Sequence, residues 1–457
     1  MIQKPPLITP ARLLVISFVV MIFIGTIALL LPGITSFQGP VLSFGEALFT
    51  STSAVCVTGL IVRDTAIDLS FRGQFVILIL IQIGGIGILT FSNILISSGK
   101  KMRFSKKLIL EASYGTLPTL SISSLIRILF KYVAAVEFLG AAILTSRFFF
   151  TYHMNLSEAI WLGTFHSVSA FCNAGFSVFS DSLIGYSSDW VINLTIILLI
   201  IAGGIGFFVS ADLKRWVMSR KKKVTSYLTL HTRIVLFSTC LLIVIPTVLF
   251  YILELTGHAM PESMTGHLLD SLFLSVTART AGFNTVEMSQ LTNPTLIIMM
   301  ILMFIGGSPA STAGGVKTTT FCVLIVLTIS KIKNRKRSEL FNRSLPEETV
   351  AKALATIISF ILIIMLCVVI LQVTELYGEP HAVHRGKFLE YMFEVVSAIC
   401  TVGLSTGITG ELSSYGRIVI MFCMFAGRLG PLLLVNSIVG KKKQLNYSYA
   451  EENIIIG

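Results

Sequence analysis

Ser53-Ala54-Val55-Cys56-Val57-Thr58-Gly59-Leu60 is one of four variants of a single pattern. The others are Ser169-Ala170-Phe171-Cys172-Asn173-Ala174-Gly175-Phe176, Val276-Thr277-Ala278-Arg279-Thr280-Ala281-Gly282-Phe283 and Ser397-Ala398-Ile399-Cys400-Thr401-Val402-Gly403-Leu404. Four copies in one polypeptide can set four backbone loops around one axis, the arrangement by which carbonyl oxygens replace the hydration shell of a cation. A loop that turns its carbonyls inward needs backbone angles a β-carbon obstructs, so the glycine closing each copy has a physical reason.

The surrounding chain is apolar. Of its 457 residues, 54% are hydrophobic and 13% charged, with a mean hydropathy of +0.85. That leaves too little polar surface to cover a soluble core. Apolar runs near 13 to 31, 74 to 97, 126 to 146, 190 to 210, 234 to 253, 294 to 329, 353 to 373 and 416 to 439 approach or exceed the roughly 20 residues a bilayer requires. The first run is too long for a signal-peptide core and lacks a small-residue cleavage site, so it is expected to be a retained span.

A net charge of +12 invites a nucleic-acid reading, which the placement of the basic residues rejects. They cluster after every second span: Lys100, Lys101, Arg103, Lys106 and Lys107; Lys214, Arg215 and Arg220 to Lys223; Lys331, Lys333, Arg335, Lys336 and Arg337; Lys441 to Lys443. The positive-inside rule then puts both termini in the cytoplasm. Units that each start and end there run parallel, unlike the halves of inverted-repeat transporters.

The expected fold is therefore all-α and integral to the membrane, with eight transmembrane spans arranged as four parallel span, pore-loop, span repeats around one pseudo-fourfold pore. The repeats cover 1–107 (pore loop 43–60), 108–223 (pore loop 157–176), 224–345 (pore loop 264–283) and 346–457 (pore loop 387–404, with a C-terminal tail). Before each glycine lies an apolar segment of about ten residues, half a span and therefore read as a re-entrant helix. Ser43-Phe44-Gly45-Glu46 has the form of a capping box, and Glu158 and Glu390 stand near two other starts, where a negative charge suits a helix N-terminus. The four helix C-termini then face the membrane centre, favouring a cation there.

A second element follows each copy: Gly84-Gly85-Ile86-Gly87, Gly203-Gly204-Ile205-Gly206, Gly306-Gly307-Ser308-Pro309 and Gly427-Arg428-Leu429-Gly430. In the first two copies the glycine pair reads as a place for bending or close helix approach. In the third, Gly306-Gly307-Ser308-Pro309-Ala310-Ser311-Thr312-Ala313-Gly314-Gly315-Val316-Lys317 has no helical composition. Unwound backbone at that depth is tolerated beside an aqueous path, so it is read as an intramembrane loop below the pore loops. A phosphate-binding loop is the rival, but Val316 separates Gly315 from Lys317 and no parallel-sheet context exists. Arg428 puts a cation inside a span, which is costly and marks function.

Seven cysteines lie scattered in apolar segments without CxxC spacing, so neither a disulfide framework nor a zinc site is indicated. Cys56, Cys172 and Cys400 share one position in the pattern; three thiolates there could hold a soft metal, yet Arg279 occupies the fourth place, and small apolar packing is the simpler reading. Asp64, Asp68, Asp181, Asp189, Glu262, Glu287, Glu375 and Glu379 fall on the external side. They read as a negative vestibule or, singly, as solvated loop residues.

Together, four units with one loop glycine each, the 306 to 317 segment and Arg428 resemble the Trk/Ktr/HKT superfamily of potassium transporters, closest to the bacterial Ktr membrane subunit. The likeness covers nearly the whole chain. It implies a channel-like potassium uptake pathway in the bacterial plasma membrane, with sodium as an activator. It also implies a homodimer with one pore per subunit and a cytosolic RCK-type ring that senses ATP and ADP, so that no nucleotide sits on this chain. On this resemblance the selectivity filter is Val57, Thr58 and Gly59; Asn173, Ala174 and Gly175; Thr280, Ala281 and Gly282; Thr401, Val402 and Gly403. The gate is the loop from Gly306 to Gly315 with Lys317, and Arg428 is an electrostatic barrier beneath the filter.

The alternative within transport is a sodium-coupled cation symporter with a midplane site. An enzyme is disfavoured, because His381-Ala382-Val383-His384 is the nearest approach to a metal pair and no HExxH or GxSxG occurs.

Overall fold

Long apolar runs in lipid can satisfy their backbone only internally, so they fold as helices. A computed structural model describes residues 10–35, 41–97, 122–221, 227–255, 257, 263–335, 337–341, 343–378, 380, 382–431 and 433–435. Lys100, Lys101, Arg103, Lys106, Lys107, Lys222, Lys223, Lys336, Glu262, Glu379, His381 and the tail from Lys441 lie outside the described residues, as do two of the expected repeat boundaries.

The first quarter of the chain contains α1 (Pro10–Leu29), α2 (Phe44–Cys56) and α3 (Phe71–Ser97). The second contains α4 (Ile122–Phe150), α5 (Leu156–Cys172), α6 (Trp190–Gly204) and α7 (Phe207–Lys221). Next come α8 (Leu230–Leu253), α9 (Met264–Thr277), α10 (Asn293–Phe304) and α11 (Thr318–Ile332), and then α12 (Glu347–Leu376), α13 (Lys387–Ile399) and α14 (Ser414–Leu429). Among the described residues the strands are one short antiparallel pair, Glu339–Leu340 with Arg343–Ser344.

Among the described residues, four helices are individually long and apolar enough to cross a bilayer, at Arg12–Leu29, Leu129–Phe150, Leu230–Leu253 and Glu347–Leu376. Each opens one quarter of the chain. Of the elements that close the quarters, α14 is shorter and those of the second and third quarters are broken. The run at 190 to 210, expected as one span, bends by 98° between α6 and α7, and the run at 294 to 329 is two helices separated by the expected loop.

The short helices α2, α5, α9 and α13 begin where the sequence signals them. Ser43 and Glu46 form the capping box: Glu46 N–H donates to Ser43 Oγ at 3.3 Å and Ser43 N–H donates to Glu46 Oε2 at 2.9 Å, satisfying two donors that a helix start leaves open. Glu158 and Glu390 sit in the first turns of α5 and α13. In three of the four copies the first glycine of the second element then lets the closing helix approach a short one. A β-carbon at Gly84 would strike the carbonyl of Val55, at Gly203 that of Phe171, and at Gly427 that of Ile399.

The acidic residues correct the vestibule reading. Glu254, at the end of α8, accepts from Thr292 N–H at 3.0 Å and Thr295 Oγ1 at 2.6 Å, so it caps α10. Glu375 in α12 accepts from Ser413 N–H at 3.0 Å before α14. Asp189 accepts from Val191 and Ile192 N–H at 2.9 and 3.1 Å, from Arg147 Nε at 2.8 Å and from the Tyr152 hydroxyl at 3.0 Å. In these quarters a charged or acidic side chain fastens the end of the opening helix to the start of the closing one. In the first quarter Ser70 does so by donating its N–H to Ile34 O at 2.9 Å. Asp189 and Glu375 are thus structural, while Asp181 and Glu287 make only local loop bonds.

Burial pushes the Asp189 pKa up, but the bonds from Arg147, Ile192 and Tyr152 and the Arg147 charge outweigh it and hold the carboxyl below its ordinary 3.8. A depressed carboxyl contributes stability that is present above the unfolded value and lost as pH falls through the folded one. Asp189→Ala should cost about 2 kcal/mol from the lost cap and charge-assisted bonds. In thermal unfolding of detergent-solubilised protein the deficit should shrink as pH drops below about 4.

Candidate functional site: four glycine loops and the segment beneath them

After each short helix the chain turns at a residue of positive φ, which is the cap itself in α2 and α5 and lies two residues beyond the cap Ala278 in α9 and one beyond the cap Cys400 in α13. These residues are Val57, Asn173, Thr280 and Thr401, with φ of 56°, 58°, 68° and 50°. Two positions later come Gly59, Gly175, Gly282 and Gly403, with φ of 95°, 69°, 82° and 91°. The intervening Thr58, Ala174, Ala281 and Val402 are fully buried. The same backbone course therefore occurs four times.

The loops meet in sequence order. A β-carbon on Gly59 would strike the Ala174 carbonyl, one on Gly175 would lie 2.9 Å from the Ala281 carbonyl oxygen, and one on Gly282 would strike the Val402 carbonyl. One on Gly403 would strike Thr58 O and lie 3.0 Å from the α-carbon of Gly59, which closes the ring. Glycine is thus required twice over, by its positive φ and by the approach of the next loop.

Hydroxyls on the short helices tether the loops, a feature the sequence reading quoted but assigned no role. Ser53 Oγ accepts from Gly59 N–H at 3.1 Å, and Ser397 Oγ accepts from Gly403 N–H at 3.1 Å. Ser169 Oγ donates to Phe176 O at 2.7 Å and Thr277 Oγ1 to Phe283 O at 2.5 Å. The signal was a serine opening three of the four copies. In the third the hydroxyl has moved to the following residue, Thr277.

Cys56, Cys172 and Cys400 are fully buried, as small packing residues behind a tight loop would be. Arg279, their counterpart, is also buried. It lines a small recess with Asn173, Gly204, Thr239 and Gly307.

Below the ring, the segment from 305 to 317 leaves the helical path. Ile305 and Val316 pair as an isolated parallel bridge, with Gly306 N–H donating to Val316 O at 3.0 Å and Val316 N–H to Phe304 O at 3.1 Å. The loop also bonds to the break between α6 and α7. Ser308 N–H donates to Gly204 O and Phe207 N–H to Ala310 O, each at 3.0 Å, and Thr312 N–H donates to Gly203 O at 3.3 Å. Those long-range bonds explain the 98° bend: residues 203 to 207 give up helix continuity and satisfy their backbone on the loop. The Thr312 hydroxyl reaches upward, donating to Phe171 O at 3.1 Å with Asn173 Oδ1 3.3 Å away.

Two cations grip the same segment. Arg428 donates to the Thr312 carbonyl and, at 2.7 Å, to the Gly84 carbonyl; Lys317 Nζ donates to Ala313 O at 2.6 Å. A cavity of about 270 Å³ lies beside them, lined in part by Gly85, Tyr132, Phe171, Gly203, Thr312 and Arg428. The candidate residues thus form two layers. The upper one holds the four glycine loops; the lower holds Gly306, Gly307, Ser308, Pro309, Ala310, Ser311, Thr312, Ala313, Gly314, Gly315, Lys317 and Arg428.

A family model described as TrkH, cation transport protein, matches residues 7–445. The chain belongs to the TrkH cation transport family. Within it, the chain is 36% identical over 454 residues to Ktr system potassium uptake protein B of Bacillus subtilis (strain 168), covering 98% of this chain and 97% of that protein. It is 35% identical over 455 residues to potassium/sodium uptake protein NtpJ of Enterococcus hirae, covering 98% of both. Ktr system potassium uptake protein B of Vibrio alginolyticus is 35% identical over 450 residues, 98% of this chain and 94% of that one. The fold resembles the crystal structure of the potassium transporter TrkH from Vibrio parahaemolyticus, with a TM-score of 0.74 at 20% sequence identity, over 95% of this chain and 86% of that one. Membership of a transport family fits a protein that is not an enzyme.

Proposed function

We propose that this TrkH-family chain is the membrane subunit of a bacterial potassium uptake system, with eight spans in four parallel units around one pore. The closed ring of four glycine loops carries the proposal. Backbone carbonyls converging below four helix C-termini suit a dehydrated monovalent cation, and the relatives named for potassium uptake support potassium as that ion. In this reading Val57 to Gly59, Asn173 to Gly175, Thr280 to Gly282 and Thr401 to Gly403 form the filter, and the ends of α1, α4, α8 and α12 face outward. The 306 to 317 loop closes the path beneath, Arg428 adds a fixed positive charge, and the membrane potential drives entry with about 2.3 kcal/mol per charge at 100 mV.

Sodium enters the proposal as an activator; the relative named for potassium/sodium uptake points instead to sodium as a carried ion. The partners are a second copy of the chain and a cytosolic RCK-type ring binding ATP or ADP, for which the basic residues after α7 and α11 are docking candidates.

Expression in a host lacking its own potassium uptake should restore growth at low potassium, more strongly with a co-expressed RCK subunit. Absence of rescue by a membrane-inserted protein together with that subunit would overturn the assignment.

A further inference from the structure

Two of the four loops carry a brace at matched positions. His166 in α5 and Glu394 in α13 each stand nine residues before their loop glycine, and Ser177 and Ser405 each stand two after it. Both ring-forming side chain and carboxylate are buried, His166 at 1% and Glu394 at 0% exposure. His166 Nδ1 lies 2.8 Å from Leu162 O, a carbonyl that can only accept, so Nδ1 carries a proton. Nε2 forms a hydrogen bond with Ser177 Oγ at 3.0 Å. In α13 the Glu394 carboxyl is bonded to Thr409 Oγ1, which also bonds Ser405 Oγ at 2.9 Å.

The other two loops lack this pair: their matched positions hold Thr50 with Ile61 and Phe273 with Asn284, and the first is held instead by Arg63 Nε, which donates to Glu46 Oε1 of α2 at 2.8 Å. Since the glycines run 59, 175, 282, 403 around the ring, the two loops that carry the pair lie diagonally opposite each other.

From the matched geometry we propose that His166 and Glu394 are positioning residues for ion selection. Each holds the segment leaving its loop against its short helix and so fixes the spacing across one diagonal of the ring. The inference rests on the ring's being the filter. Beyond these bonds, His166 stacks on Phe179 at 4.7 Å, and Glu394 Oε2 has no hydrogen-bond partner among the described residues. Hydrogen bonds in a water-poor surrounding hold geometry more firmly than apolar contact does. Slackening one diagonal admits a second coordination geometry, which lowers discrimination more than flux.

The full-length protein, reconstituted in liposomes under an imposed potential, reports initial potassium and sodium uptake rates. Ser177→Ala and Ser405→Ala should each lower the potassium-to-sodium ratio by about threefold, and the double variant by about tenfold, the range that single hydrogen bonds command. Glu394→Gln keeps an acceptor for Thr409 and should hold the ratio, whereas Glu394→Leu should lower it. Ile61→Ala, at the matched position of a loop that lacks the pair, should leave it within about twofold. The two serines are partly exposed, so their truncation opens no core cavity and carries the test even if Glu394→Leu fails to fold. An unchanged ratio in the double serine variant, beside a lowered ratio in Gly282→Ser, overturns the brace alone. An unchanged ratio in both overturns the filter with it.

Discussion

Arg428→Ala should raise potassium uptake in the absence of any cytosolic partner by about tenfold or more. On the proposed function the side chain combines two obstacles. As a fixed charge it opposes a passing cation: at ~8 Å with an effective dielectric of ~20, the repulsion is about 2 kcal/mol, which alone is roughly a thirtyfold barrier. As a donor it holds the loop, bonding the carbonyls of Thr312 and Gly84 and so tying the 306 to 317 segment to α3. Removing it leaves Lys317 on Ala313 and the backbone bonds to residues 203, 204 and 207, so the segment should loosen without the fold collapsing. Arg428→Lys retains the charge while losing the two-carbonyl geometry of a guanidinium, and should give an intermediate rate. Uptake unchanged in both variants, measured with equal amounts of membrane-inserted protein, would remove Arg428 from the gate.

Gly282→Ser should abolish most discrimination between potassium and sodium, with a fall of about tenfold or more in their uptake ratio. The added β-carbon faces the Val402 carbonyl and stands 2.9 Å from the α-carbon of Gly175, at a φ of +82°. Left-handed strain at a non-glycine residue costs about 1 to 3 kcal/mol. The loop can relieve the clash only by swinging its carbonyls, and the carbonyls are the proposed ligands. Because Gly282 touches two neighbouring loops, a displacement there spreads around the ring. Gly410→Ala is the contrasting substitution, since nothing stands within 4 Å of its added β-carbon.

Much of this arrangement could be read from the residues. Apolar segments ahead of the glycines became short helices followed by a turn at a residue of positive φ, because chain chemistry at a helix end is local. The capping box at Ser43 to Glu46 is likewise local, and it formed with the expected partners. The 306 to 317 segment was legible because its glycines, serines and proline exclude a helix in any context.

What the sequence hid depends on distant partners. The 190 to 210 run is as apolar as a continuous span, and its bend exists because Gly204, Gly203 and Phe207 bond to a loop about a hundred residues away. Asp189 and Glu375 looked like vestibule charges because acidity is visible in a sequence and a cap's partner is not. Arg147 and Ser413, which engage them, lie tens of residues off. His166 and Glu394 escaped notice for a similar reason: a lone histidine or glutamate on an apolar helix has no meaning until the serine across from it is known.

The central claim is that the four glycine loops select the ion. The most direct measurement is the ratio of potassium to sodium uptake by the reconstituted full-length chain, wild type beside Gly282→Ser, under the same imposed potential. The account predicts a strong preference for potassium that Gly282→Ser largely removes while flux persists. A wild type without preference, or a variant with the preference intact, would contradict it.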